Sequence, residues 1–131
     1  MGYRSEVVLA VSKEMLPHFM VTLAKSEEVR SLVLKEHDTL NQDYDGEGGW
    51  LVYWSDIKWY NESYEPIGVI QSFVDDCDAD TLESWPVEKE EELGRASDHF
   101  RFLRIGEEWD DVENKGEYCW DSICLNRALE F

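Results

Sequence analysis

Positive charge is what this sequence has least of. Twelve Lys and Arg stand against thirty Asp and Glu in 131 residues, a formal net charge of −18. A chain with that deficit repels nucleic acid, anionic lipid and acidic substrates, and attracts basic proteins and cations. Long apolar runs are also missing. No stretch approaches the roughly 20 apolar residues of a membrane-spanning helix, and residues 1–12 lack the charged start and long apolar run of a secretory leader. Only three cysteines occur, Cys77, Cys119 and Cys124. Their odd number and irregular spacing read as reduced thiols of a cytoplasmic protein. His18, His37 and His99 are scattered, none of them beside an acid cluster. The chain has no Gly-x-Ser-x-Gly, no phosphate-binding glycine loop and no zinc spacing. These absences leave no assembled catalytic centre. The expectation is a binding protein rather than an enzyme, with no catalytic residue, no cofactor and no metal.

What is present is acid, unevenly placed, and many aromatics. Residues 1–40 hold six acids and five bases, and residues 41–131 hold twenty-four acids and seven bases, so almost the whole field comes from the second part. Six Trp and six Tyr are more than a core of this size needs. Some are expected at the surface, where aromatics with a polar handle serve interfaces. The length suits one domain, residues 1–131, able to bury roughly two thirds of its unfolded surface.

Ser5 to Val11 reads as a strand that is apolar on both faces, and therefore central. Ser12 can cap the helix that follows, in which Leu16, Phe19, Met20 and Leu23 fall at helical spacing with Pro17 in the first turns. Ser26 with Glu27 and Glu28 is a fresh helix start before Val29, Leu32 and Val33. Trp50 to Tyr60 reads as a long strand bent at Ser55-Asp56. Pro66 suits the start of a helix whose buried stripe is Ile67, Ile70, Phe73, Val74 and Cys77. Asp75 to Gly94 reads as a charged loop with a helical turn or two. His99 to Ile105 is a strand, Glu107 to Gly116 an acidic connection, and Tyr118 to Leu125 a last strand. The predicted class is α+β, with a mostly antiparallel four-stranded sheet and helices on one face, in the order β-α-β-α-β-β with the first helical stretch in one or two pieces.

Two acidic motifs have alternative meanings. Asn41-x-Asp43-x-Asp45-Gly46 looks like half a calcium loop, but position 12 is Val52 where the bidentate Glu belongs, so a turn is expected. Glu107-Glu108-x-Asp110-Asp111-x-Glu113 could gather carboxylates as two-metal hydrolases do, which defines one rival reading. The aromatic stretch Trp50, Tyr53, Trp54, Trp59, Tyr60 and Tyr64 is no nucleic-acid platform, because such platforms sit in positive grooves.

The acids then carry the functional reading. Same-face residues on a strand repeat at about 6.6 Å, near the step between phosphates along one DNA strand. A display of carboxylates can therefore occupy a basic channel built for nucleic acid. The expected partner-binding residues are the acids Asp75, Asp76, Asp78, Asp80, Glu83, Glu88, Glu90, Glu91 and Glu92, together with Glu107, Glu108, Asp110, Asp111 and Glu113. Exposed members of Trp54, Trp59, Tyr60, Trp85 and Trp109 would be the anchors. The first alternative, ahead of the hydrolase, is a small regulatory or ligand-binding domain whose acidity serves solubility only.

Three stretches together carry a resemblance. They are Met1-Gly2-Tyr3-Arg4-Ser5-Glu6-Val7, the segment Gly49-Trp50-Leu51-Val52-Tyr53-Trp54-Ser55-Asp56-Ile57-Lys58-Trp59-Tyr60, and Phe102-Leu103-Arg104-Ile105-Gly106-Glu107 followed by Asp110-Asp111-x-Glu113. In order and spacing the chain resembles small acidic proteins encoded by bacteriophages and prophages, most without assigned function. The resemblance covers nearly the whole chain and implies no catalytic residue. It implies an inhibitor of host defence, of the anti-CRISPR or anti-restriction type, acting as a DNA mimic in the host cytoplasm. The partner would be a basic nucleic-acid-binding host protein such as a CRISPR effector or restriction enzyme, with no direct contact to nucleic acid or membrane. The segment Asp75 to Gly94 is longer and more acidic than that group leads one to expect.

Overall fold

Two apolar faces require a strand to be covered on both sides, and β1 (Ser5–Val11) is indeed the middle strand of its sheet. The computed structural model describes residues 4–59, 65–107, 111–125 and 129–131. After β1 the chain forms α1 (Leu16–Leu23) and α2 (Glu27–Leu34). The Ser12 hydroxyl accepts the Met15 N–H at 3.1 Å in the turn that leads into α1. Ser26 caps α2 by accepting the Val29 N–H at 3.2 Å, and Glu27 and Glu28 occupy the first turn, where the helix dipole favours acids.

The chain then runs through β2 (Thr39–Asn41), β3 (Trp50–Ile57), α3 (Glu65–Asp78), α4 (Glu90–Leu93), β4 (Phe100–Ile105) and β5 (Val112–Gly116). A separate small pair, β6 (Cys124–Leu125) with β7 (Leu129–Glu130), follows. The main sheet has the order β2-β3-β1-β4-β5 with every neighbour antiparallel. Val7 pairs with Trp54 but Ser5 pairs with Ile57, so β3 carries one extra residue at Ser55-Asp56, a bulge where the sequence predicts a bend.

The α+β class with an antiparallel sheet stands, but the sheet has five strands and not four. Val112–Gly116, expected as a connection, is a strand, because an edge strand needs only cross-strand partners. Glu113 lies opposite Arg104 and Lys115 opposite Phe102. Residues 118–123, expected in a last strand, form turns and a bend instead, with Cys119 in the left-handed region at φ 54°.

The helices cover one face. Val7, Leu9 and Val11 pack there with Met15, Phe19 and Leu23, with Val29, Leu32 and Val33, and with the predicted stripe Ile67, Ile70, Phe73, Val74 and Cys77. Burial pushes the Cys77 thiol pKa up, and Asp76, Asp80 and Asp78 nearby add to it, so Cys77 is an unreactive core residue. On the other face Val8, Ala10, Leu51, Leu103 and Ile123 form a smaller cluster roofed by Tyr44, Tyr53 and Tyr118.

Trp54, Trp59 and Trp85 correct an expectation, since none is exposed. Each indole N–H finds an internal acceptor: Trp54 donates to the Leu32 carbonyl (3.0 Å), Trp59 to Gln71 Oε1 (2.8 Å) and Trp85 to the Gly94 carbonyl (3.2 Å). A satisfied indole in contact with other rings belongs to the core, and these three are not available to a partner. Tyr60 and Trp109 lie outside the described residues. Among the described residues no helix is long and apolar enough to cross a membrane.

Candidate functional site

The end of α3 breaks a local rule. A helix C-terminus carries partial negative charge and favours cations. Here the last turn and the cap hold Asp75, Asp76, Asp78 and Asp80, with no basic residue in the last turn. The helix ends in a Schellman arrangement. The Thr81 N–H bonds the Asp76 carbonyl at 2.8 Å, and Asp80, at φ 57°, donates its N–H to the Cys77 carbonyl at 3.4 Å. That left-handed position is one where glycine is normally found. Asp80→Gly is therefore expected to raise stability by about 1 kcal/mol, read in urea unfolding. No gain would mean that the bond from the Ser97 N–H to Asp80 Oδ1, at 3.5 Å, offsets the backbone cost.

The acidic segment after α3 is pinned to the core. Trp85 is buried between the rings of His18 (5.2 Å) and His99 (5.0 Å). His18 Nδ1 lies 2.7 Å from the Ser84 hydroxyl, and burial lowers the His18 pKa. His99 bridges the Ser12 hydroxyl and the Leu93 carbonyl. These ties hold Glu83, Glu88, Glu91 and Glu92 outward as exposed side chains, with Glu90 half-buried. Among the described residues, none of Asp76, Asp78, Asp80, Glu83, Glu88, Glu90, Glu91 or Glu92 makes a salt bridge.

Four of these acids line two adjoining grooves. Glu90 and Glu91 line an open groove of about 520 Å³ with Arg95, Ser97, Asp98 and Glu117. Asp78 and Asp80 line an adjoining one of about 510 Å³ that shares Arg95, Ser97 and Glu117 with the first. Asp98 and Glu117 are thus members of the surface that sequence reasoning missed. They lie far from the acidic runs in the chain, and no spacing rule links them.

Trp120 is a third omission. It is 57% exposed, the most exposed Trp among the described residues, and its ring lies 4.5 Å from the Arg101 guanidinium carbon. The buried Arg101 donates to the Ile123 carbonyl (3.0 Å), Asn114 Oδ1 (2.5 Å) and the Gly116 carbonyl (2.8 Å), and so fixes the turn that presents Trp120. The turn signal Asp121-Ser122 could have revealed this in the sequence.

The other acidic run is not displayed in the same way. Glu107 Oε1 accepts the Arg4 N–H at 2.9 Å. Asp111 and Glu113 both clamp Arg104, at 2.6 and 3.1 Å. Lys115 bonds Asp75 at 2.8 Å and lies 3.6 Å from Glu113. Glu108 and Asp110 lie outside the described residues. Asp75, Asp111 and Glu113 are therefore paired inside the molecule, and their charge is largely spent on tying the β5 region to β4 and to α3. Among the described residues no group of three or more His, Cys, Asp or Glu is placed to hold a metal.

The Arg104 hydrogen bond holds the Asp111 carboxyl below its usual range, against the upward push of burial. A folded pKa below the unfolded one adds stability above the unfolded value, near 4, and loses it as pH falls through the folded value. Asp111 is 39% exposed, so its share is expected to be under about 1 kcal/mol. Wild type should exceed Asp111→Asn in urea unfolding at pH 6, and the gap should narrow steadily as pH falls below about 4. A constant gap would assign the effect to packing.

In the calcium-like loop the carboxylates serve the backbone. Asp43 Oδ1 accepts the Gly48 N–H, and Asp45 Oδ1 accepts those of Glu47 and Gly49, all within 2.9 Å. Tyr118 donates to Asp45 Oδ2 at 2.6 Å. The motif builds a turn braced on residue 118.

No family model, curated protein or solved structure matches this chain.

Proposed function

We propose that the chain is a binding protein, not an enzyme, whose acidic groove occupies the nucleic-acid-facing surface of a basic protein. The observation that carries this reading is the set of acids at the C-terminal end of α3. If acidity served solubility alone, acids would sit where they cost least. Asp76, Asp78 and Asp80 instead oppose the helix dipole, and Asp80 also takes a backbone conformation suited to glycine. Local rules broken together at one surface are the usual mark of a site kept for function.

Glu90, Glu91, Asp98 and Glu117 continue the same surface, and Trp120 supplies an exposed aromatic beside it. Acids of this kind speed and orient association, and a Trp anchor holds the complex. The resemblance to small acidic phage proteins makes the partner a host defence protein that handles nucleic acid, bound in the host cytoplasm in place of DNA or RNA. The protein would need no cofactor or metal and would not itself touch nucleic acid.

The test is capture from lysate of the host with the purified chain as bait, washed at 50 and at 500 mM NaCl. A nucleic-acid-binding protein should be retained at low salt, and duplex DNA or RNA should elute it. Retention of only salt-insensitive proteins, or of none, would contradict the proposal.

A further inference from the structure

The hydrogen-bonding register leaves part of β5 open. The Ser12 N–H bonds the His99 carbonyl at 3.0 Å, so His99, and with it Arg101, Leu103 and Ile105, turns its backbone groups toward β1. The alternate residues Phe102, Arg104 and Gly106 then face β5, as the bond from the Gly106 N–H to the Asp111 carbonyl at 2.7 Å confirms. On β5 the inward set is Asp111, Glu113 and Lys115. The N–H and C=O of Val112 and Asn114 point to the outer edge, where no strand among the described residues pairs with them.

The edge ends at Gly116. Its φ is 84°, and a Cβ there would lie 2.1 Å from the Phe100 carbonyl oxygen, so only glycine turns the chain at this point. Beyond that turn, Trp120 lines one groove together with Asn114, three acids (Asp78, Asp80 and Glu117) and two bases (Arg95 and Lys115). Open backbone, an exposed ring and carboxylates thus share one side of the molecule.

We propose that this edge takes up an extended, Arg- or Lys-bearing segment of the protein partner as a sixth strand. This rests on the acidic-groove reading and specifies how that groove holds its partner. Backbone bonds to Val112 and Asn114 supply register, and guanidinium or ammonium groups meet Asp78, Asp80 and Glu117 or stack on Trp120. A second copy of this chain is a poor occupant, because it would bring two molecules of net charge −18 together. Nucleic acid is repelled by the same field.

The probe is a fluorescein-labelled heptapeptide alternating Arg and Val, compared with the same peptide N-methylated at every internal residue. The second keeps the charge and loses the donors. The parent peptide should bind at least tenfold more tightly. Val112→Pro, which removes one outward N–H, and Trp120→Ala should each weaken the parent about tenfold. Should Val112→Pro fail to fold, amide exchange on the wild-type chain decides: the Val112 and Asn114 N–H groups should slow at least tenfold when the parent peptide is added. Equal, salt-sensitive binding of both peptides without that slowing would overturn the added strand and leave the acidic groove standing. Binding of neither would overturn both.

Discussion

Arg101→Met is expected to lower the unfolding free energy by about 3 kcal/mol. Arg101 is 1% exposed and makes three hydrogen bonds, two of them to the carbonyls of Gly116 and Ile123. Methionine fills much of the space but leaves both carbonyls and the Asn114 amide oxygen without this donor. It also removes the cation beneath Trp120. The segment from Gly116 to Ile123 would lose its main tie to β4, and the cluster of Val8, Ala10, Leu51, Leu103 and Ile123 would lose cover. Arg101→Lys should recover only part of the loss, because an ammonium cannot reproduce the planar fork that reaches three acceptors. Urea unfolding measures the energy, and near-ultraviolet circular dichroism reports the Trp120 environment. A loss below about 1 kcal/mol would show that the turn holds itself.

The second large effect concerns binding. Neutralising Asp78, Asp80, Glu90, Glu91 and Glu92 to their amides takes the net charge from −18 to −13. Neutralising Glu27, Glu28, Glu47, Asp56 and Glu65, exposed residues that line neither groove, gives the same −13. If charge acts only as a general field, the two variants should weaken binding to the captured partner equally. The groove account predicts at least a hundredfold loss for the first and less than about fivefold for the second. The first variant should also be no less stable than wild type, since it removes Asp78 and Asp80 from the negative end of α3. That combination, weaker binding at equal or greater stability, separates a surface kept for function from one kept for folding. Equal losses would return the acidity to solubility.

Much of the fold was legible because it follows from burial periodicity. The two-faced apolar pattern of Val7 to Val11 placed β1 at the centre, and the spacing of Ile67 to Cys77 gave the α3 stripe. Ser26 marked a helix start through a bond it does make. What escaped depends on partners distant in sequence. β5 has little apolar pattern, and it is a strand because Arg104 and Phe102 lie opposite it. β2 is three residues long, too short to show alternation.

The aromatic anchors were misplaced for a related reason. A Trp in an acidic stretch can be a surface anchor or the pin that fastens the stretch to the core. Trp85 is the pin, held by His18, His99 and the Gly94 carbonyl. The acidic surface was legible in part. Asp78 and Asp80 line one groove and Glu90 and Glu91 the adjoining one, whereas Asp75, Asp111 and Glu113 are consumed by Lys115 and Arg104. Nothing local in the sequence separates an acid that will be paired from one that will not.

The most direct measurement is displacement. A labelled duplex or single strand is bound to the captured partner, the acidic chain is titrated in, and fluorescence anisotropy is followed at several salt concentrations. The account predicts complete release of the nucleic acid at saturation, with the affinity of the chain falling steeply as salt rises. Formation of a ternary complex, with the nucleic acid still bound at saturating chain, would contradict it.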